Sequence, residues 1–285
     1  MKPAAFAYHA PASVEDAVAL LGEFAAEDGR ILAGGQSLVP TMAFRLAKPA
    51  HLIDINHIAA LEKLTVENVT LSIGAGVRHA AFHRPAVAGP LGTLLAEVVR
   101  HIAHYPIRLR GTFCGSLAHA DPASEWCLVA ATLGAEITAL STRGTRNIAA
   151  SDFFAGIMTT ELAEDELLAA AQLPLLSNDT RFGFCEFSRR AGDYAIAMTL
   201  VTLHLDGGAI VVPRVGVGGA EAFPRRIPEA EATLAGRPPE PAVLQAAAEA
   251  AADAIDPLED IQADAAYRRD LVRAMTRRAL ERACA

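Results

Sequence analysis

Two small-residue turns constrain this chain more than any other feature. The first lies in ILAGGQSLVPTM, where the apolar run Arg30–Ala33 passes directly into Gly34-Gly35-Gln36-Ser37 and then into a second apolar run from Leu38. The second lies in RGTFCGSLAHADPASEW, residues 110–126, which precedes an apolar stretch ending near Leu133. Each sets a turn with a serine between an apolar run and a helix-like pattern. Glycine admits positive φ and lets a ligand meet the backbone without a Cβ clash. Amides left free in such a turn form an anion nest, and Ser37 adds a hydroxyl donor. The first turn therefore suits a pyrophosphate, although for a lone Gly-Gly pair a plain tight turn is the favoured reading. It is neither GxGxxG nor a Walker A loop.

The second turn also has two readings. Asp121 as N-cap and Pro122 at the first helical position predict a helix from Pro122 to about Leu133, stopped by Gly134. Glu125 then falls in the first turn, where the helix dipole favours a carboxylate. This is a well-capped helix and nothing more, or else a site in which Thr112, Gly115 and Ser116 hold phosphate while Asp121 or Glu125 binds ribose hydroxyls. Taken together, the two turns fit a ligand with a long phosphate bridge, such as a dinucleotide. They do not choose between FAD and another nucleotide.

The rest of the chain reads as alternating elements. Ser13 followed by Asp16 resembles a capping box and opens a helix through Phe24, with Gly29 as its stop. Leu38–Leu46 predicts a helix perturbed by Pro40, and Pro90–Ala103 another. Strands are predicted at Arg30–Ala33, His51–Ile55, Thr70–Gly76, Ala135–Leu140 and Phe182–Ser188. Asp206-Gly207-Gly208 between two apolar runs predicts a hairpin. Helices over Ala242–Ile255 and Ala263–Ala283 then complete an α+β C-terminal part.

At 285 residues the chain exceeds one usual core, which predicts two domains or one core with an appendage. The net charge of −8 and the scattered 25 Lys and Arg argue against nucleic-acid binding. The apolar runs are too short and interrupted to span a bilayer, and the N-terminus lacks a secretory pattern, so a cytoplasmic location is expected. Cys114, Cys127, Cys185 and Cys284 show no ligand spacing for zinc or an iron–sulfur cluster, so no metal residues are assigned. His101 and His104, with His119 and Cys127 farther on, read as a helix-end cap by His104 and a place for His119 within the second turn. Trp126 reads as packing, and Arg189-Arg190 as a solvated pair.

At these residues the sequence resembles a known family. ILAGGQSLVPTM with PAHLIDIN after it, and HYPIRLRGTFCGSLAHADPASE, are similar to the two FAD loops of the flavoprotein (medium) subunits of molybdenum hydroxylases, which include carbon monoxide dehydrogenase and quinoline 2-oxidoreductase. RRAGDYAIA and AYRRDLVRAMTRRAL resemble that family's C-terminal domain, so the likeness runs nearly end to end. The resemblance implies an α+β fold: a two-subdomain FAD-binding domain of the vanillyl-alcohol oxidase type (1–57 and 58–176), then a small C-terminal domain (177–285). It implies pyrophosphate contacts from Gly34, Gly35, Gln36 and Ser37, with Ala33 and Leu38 adjacent, and from Thr112, Cys114, Gly115 and Ser116 opposite. Asp121 and Glu125 are matched to the polar side of the second loop, Leu168 to a position beside the flavin, and Tyr194 to an aromatic beside the isoalloxazine. Cys114 replaces the usual first glycine of the second loop, which requires a negative φ there.

The function implied is that of an FAD-carrying electron-transfer subunit with no catalytic residue of its own. Electrons would come from two 2Fe–2S clusters of a small subunit, and substrate chemistry would occur at a molybdopterin cofactor in a large subunit, in a dimer of heterotrimers. An external acceptor would take the electrons. The competing readings are a self-sufficient flavin oxidase or dehydrogenase, and a non-catalytic nucleotide-binding scaffold.

Overall fold

The computed structural model describes residues 2–285. Ser13 caps the helix Val14–Phe24 by accepting a hydrogen bond from the Asp16 amide (3.0 Å). Gly29 does not stop this helix, contrary to expectation. The chain leaves it through a 3-10 turn, Asp28 takes the left-handed conformation (φ 55°), and Gly29 opens the next strand. A Cβ on Gly29 would lie 2.8 Å from the Phe24 carbonyl oxygen, so the glycine serves close approach.

Three larger sheets follow in chain order, besides a two-stranded ribbon of Phe154–Gly156 and Thr159–Thr160. A parallel three-stranded sheet, ordered Ala7–His9, His51–Asp54, Gly29–Leu32, carries the first Gly/Ser turn at the exit of its edge strand. A five-stranded antiparallel sheet pairs Leu64–Glu67, Thr70–Gly74, Leu167–Pro174, Glu136–Ser141 and Gly144–Ala149, in that spatial order. Arg181–Phe187, Ala197–Asp206, Ala209–Gly218 and the short Arg225–Arg226 form an antiparallel sheet backed by the helices Ala265–Cys284 and Pro228–Leu234, with Pro241–Ala254 packed on both helices. Gly207 (φ 57°) and Gly208 (φ 84°) make the expected hairpin turn, in which both central residues need positive φ.

The helix Glu125–Leu133 lies between the second and third sheets, and all of its residues are buried. An apolar sequence on every face suits that position. One apolar core joins the first two sheets to this helix, and a second fills the space between the third sheet and its helices. The architecture is α+β throughout. Among the described residues, no helix is long and apolar enough to cross a membrane.

Two expected helices have different bounds. Pro90–Val98 ends before His101, so His104 does not cap it. His104 instead precedes the short helix Tyr105–Arg108. The helix expected from Pro122 begins at Glu125, capped by Ser124, and a separate helix, Phe113–His119, precedes it. The Asp121 carboxylate accepts from the Ala123 amide (2.9 Å), a local turn that competes with helix capping. Ala120, left-handed at φ 51°, divides the two helices.

Candidate cofactor-binding crevice

The two Gly/Ser turns meet. A Cβ on Gly34 would overlap the Arg110 carbonyl oxygen and come within 2.6 Å of Gly111 Cα, so the loops touch backbone to backbone. Gly35 has φ 70°. Along the junction opens a crevice of about 750 Å³, within the ~300–1,000 Å³ usual for cofactor sites.

A side-chain network holds the loops in place. The buried Asp54 accepts from Tyr8 Oη (2.6 Å) and from the Asn56 backbone amide (2.8 Å). Asn56 Nδ2 donates to the Ala33 carbonyl (2.8 Å), which anchors the first loop. Arg78 donates to Asn56 Oδ1 (2.6 Å) and to the Arg110 carbonyl (2.5 Å), which anchors the second. Sequence reasoning noticed the segment containing Asp54 and Asn56 but gave these two residues and Arg78 no role. Apart from the local Asp54–Asn56 contact, their partners lie 22 to 46 positions away in the chain, where no spacing rule reaches.

Eleven of the fourteen expected residues line the crevice: Ala33, Gly34, Gly35, Gln36, Ser37, Leu38, Thr112, Cys114, Gly115, Ser116 and Leu168. Among the described residues, no protein acceptor takes the amides of residues 34–38, and the Ser37 hydroxyl has no partner. Gln36 folds its amide back onto the Gly34 carbonyl (2.9 Å). On the opposite side Thr112 caps the helix Phe113–His119, accepting from the Gly115 amide (3.0 Å). A Cβ on Gly115 would stand 2.6 Å from that hydroxyl oxygen. Leu168 reaches the crevice beside a β-bulge in the strand Leu167–Pro174. His119 is also at the wall.

Cys114 is resolved by the helix. It lies in the first turn, where φ is negative and a Cβ costs nothing. Its thiol is buried and donates to the Ile73 carbonyl (3.4 Å). Burial pushes the thiol far above its ordinary value. Cys127, also buried, donates to the Ser116 carbonyl (3.3 Å) and is pushed up to about 12 for the same reason.

Asp121, Glu125 and Tyr194 do not line the crevice. They belong to an acidic cluster where the helix Glu125–Leu133 meets the C-terminal sheet. Glu125 is 8% exposed, and burial, reinforced by Asp121, raises its pKa against the weaker pull of Arg108. Glu186, its side chain 4% exposed, is raised by burial and by Glu125. Among the described residues its Oε2 has no hydrogen-bond partner, and His101 Nδ1 stands 3.6 Å away. Tyr194 is mostly exposed nearby, and its phenol feels both Asp121 and Glu125. Among the described residues, no group of three or more His, Cys, Asp or Glu is placed to hold a metal ion. Trp126 is core, and Arg189 and Arg190 are exposed.

Residues 4–176 match the FAD binding domain in molybdopterin dehydrogenase, and residues 182–283 the CO dehydrogenase flavoprotein C-terminal domain. The chain is 42% identical to the nicotine 6-hydroxylase medium subunit of Paenarthrobacter nicotinovorans, over 98% of each chain. It is 35% identical to the carbon monoxide dehydrogenase medium chain of Hydrogenophaga pseudoflava, covering 100% of this chain and 99% of that one. Among solved structures it superposes on the carbon monoxide dehydrogenase from H. pseudoflava (TM-score 0.95, 36% identity, 99% and 98% covered). It also superposes on quinoline 2-oxidoreductase from Pseudomonas putida 86 (TM-score 0.93, 35% identity, 100% and 98% covered). The chain belongs to the FAD-binding medium subunits of the molybdenum hydroxylases and is an oxidoreductase subunit of that family.

Proposed function

We propose that this chain is the electron-transfer subunit of a heterotrimeric molybdenum hydroxylase of the cytoplasm. It would take electrons from 2Fe–2S clusters of a small partner subunit and deliver them to an external acceptor. The molybdopterin cofactor and the substrate would reside in a large partner subunit, in a dimer of heterotrimers. The division of the chain at 57/58 and 176/177 belongs to the same reading.

The observation that carries it is the row of free amides at residues 34–38, facing the second loop across a junction of bare backbone. Such a row is a fixed positive surface for a pyrophosphate, and a Cβ at Gly34 would push the two loops apart. Ala33, Gly34, Gly35, Gln36, Ser37 and Leu38 would hold the phosphates from one side. Thr112, Cys114, Gly115 and Ser116 would hold them from the other, through backbone and hydroxyl groups, since the Cys114 thiol faces the core. Leu168 would pack beside the ring system. Asp121, Glu125 and Tyr194, outside the crevice itself, would meet the flavin end where it emerges toward the C-terminal domain.

Bound FAD supplies the redox chemistry, and the protein supplies binding, orientation and electrostatics. The test is the visible spectrum of the chain purified with its partner subunits. A flavin spectrum, with FAD released on denaturation, is expected. A complex free of flavin after incubation with excess FAD sinks the reading.

A further inference from the structure

Beneath the junction of the two loops lies one polar side chain to which neither the motifs nor the family likeness gives a role. His79 is 5% exposed, and its ring is set against Gly111 in the second loop. A Cβ on Gly111 would come within 2.5 Å of His79 Nε2, so only glycine lets the ring sit there. The backbone fixes the position too. The His79 amide donates to the Gly111 carbonyl (2.9 Å), and the Phe113 amide donates to the Val77 carbonyl (3.1 Å).

The ring has a definite tautomer. Trp126, fully buried, donates its indole N–H to His79 Nδ1 (2.9 Å). An indole nitrogen is a donor only, so Nδ1 is the acceptor and the single proton of the neutral ring lies on Nε2. Burial, with Arg108 and Arg78 near, pushes the pKa down to about 3, so the ring is neutral at physiological pH. Among the described residues nothing accepts from Nε2, although His79 is at the crevice wall. The Nε2 atom is not sealed in the core, so this donor is held rigid, neutral and open to a ligand at the point where Gly34 meets Gly111.

We propose that His79 is a ligand-binding residue whose Nε2–H donates to an anionic oxygen of the dinucleotide's phosphate bridge, with Trp126 fixing the tautomer. This rests on the FAD reading above. A neutral donor suits the place, because phosphate binding through it stays constant across the pH range in which an ordinary histidine would gain or lose charge.

Two substitutions separate the ring's two nitrogens. The amide of Asn falls near the imidazole Nδ1, and that of Gln near Nε2. His79→Asn therefore keeps an acceptor for Trp126 and loses the donor. His79→Gln keeps the donor and loses the acceptor. FAD affinity is measured by fluorescence titration of the full chain with its partner subunits, stripped of flavin. Thermal melts are run in parallel. His79→Asn should weaken FAD binding about tenfold to hundredfold, the range for a hydrogen bond to a charged group, with a melt close to wild type. His79→Gln should bind FAD within about threefold of wild type but melt earlier, because the buried indole loses its acceptor.

In 15N-labelled protein, Nε2 of His79 should be protonated and Nδ1 bare from about pH 5 to pH 8. The Nε2 proton should move downfield when FAD is added. Equal FAD affinity for wild type and His79→Asn, or an Nδ1-protonated ring, overturns this inference and leaves the FAD reading standing. A wild-type complex that takes up no FAD overturns both.

Discussion

Glu125 and Trp126 are neighbours in the first turn of one buried helix, and they serve two regions built on opposite principles. Successive helical residues point about 100° apart, so Trp126 turns toward His79 and the crevice while Glu125 turns toward Glu186. In the frame of the crevice the polar side chains are matched: the buried Asp54 and the half-buried Asn56 and Arg78 all find partners, and the crevice is lined by groups left free. In the acidic cluster two buried carboxyl groups lie close enough to disfavour each other's charge, and among the described residues Glu186 Oε2 has no partner. The first region has its order imposed in advance, which lowers the cost of binding. The second is held in place by the surrounding fold, at a cost to stability that rises with pH.

Breaking the crevice should give the largest effect. Gly34→Val introduces a side chain into the backbone of Arg110 and Gly111, neither of which can rotate aside. The loops must part, and overpacking of this kind costs about 1–3 kcal/mol. FAD affinity should fall by more than about a hundredfold as the two halves of the cradle separate. Fluorescence titration and a thermal melt measure both. Retained affinity would mean that the loops need not touch in order to bind.

The frame comes next. Asn56→Ala removes the tie to the Ala33 carbonyl and leaves the Arg78 guanidinium and the buried Asp54 each short of a partner. Leaving the buried Asp54 short of a partner costs about 1–3 kcal/mol, with a weaker loss of FAD than for Gly34→Val. A double-mutant cycle with Arg78→Ala should show coupling, because both residues belong to one network. Additive effects would show that each loop is anchored independently.

These two predictions also mark what the sequence could reveal. The Gly34-Gly35 turn was legible because a strand running straight into glycines has few uses. The hairpin at Asp206-Gly207-Gly208 was legible because type I′ turns demand positive φ. The Asp121-Pro122 helix start misled, since the same Asp also makes a turn with the Ala123 amide and Ser124 is the better-placed cap. The Tyr8–Asp54–Asn56–Arg78 frame and the His79–Trp126 pair were not legible at all. Such side chains have no periodic signature, and their partners are set by the topology of two sheets meeting.

The acidic cluster should respond in the opposite sense. Glu186 is raised in the folded state above its ordinary value near 4.5, so the fold binds a proton that the unfolded chain releases. Its contribution is fully present below that value and is lost as pH rises toward the elevated folded pKa. Glu186→Gln, which stays neutral, should therefore stabilise the protein at pH 8 by about 1–3 kcal/mol and change little at about pH 4. Glu125, itself acted on by Asp121 and Arg108, adds to the shift of Glu186, which has His101 and beyond it Arg282 as neighbours, so Glu125→Gln should reduce the gain from Glu186→Gln. A pH series of melts decides the point. A Glu186→Gln protein equally shifted at both pH values would mean that the Glu186 carboxyl is not held above its ordinary value in the fold.

Cys114 gives the smallest expected effect and so sharpens the comparison from the other end. It stands inside the second loop, yet its thiol faces the Ile73 carbonyl and the core, away from the ligand space. Cys114→Ala removes one buried sulfur and a weak hydrogen bond, costing about 1 kcal/mol, and leaves FAD affinity within about twofold of wild type. The flavin absorption band should keep its position, and alkylating reagents should react with native Cys114 no faster than the protein unfolds, because the thiolate is suppressed by burial. A shifted band in Cys114→Ala would place the sulfur against the flavin and require the helix Phe113–His119 to turn its first residues toward the crevice. In the arrangement seen here, a family glycine can be replaced because helical φ is negative at that point, whereas Gly34 and Gly111, where backbone meets backbone or ring, cannot be replaced.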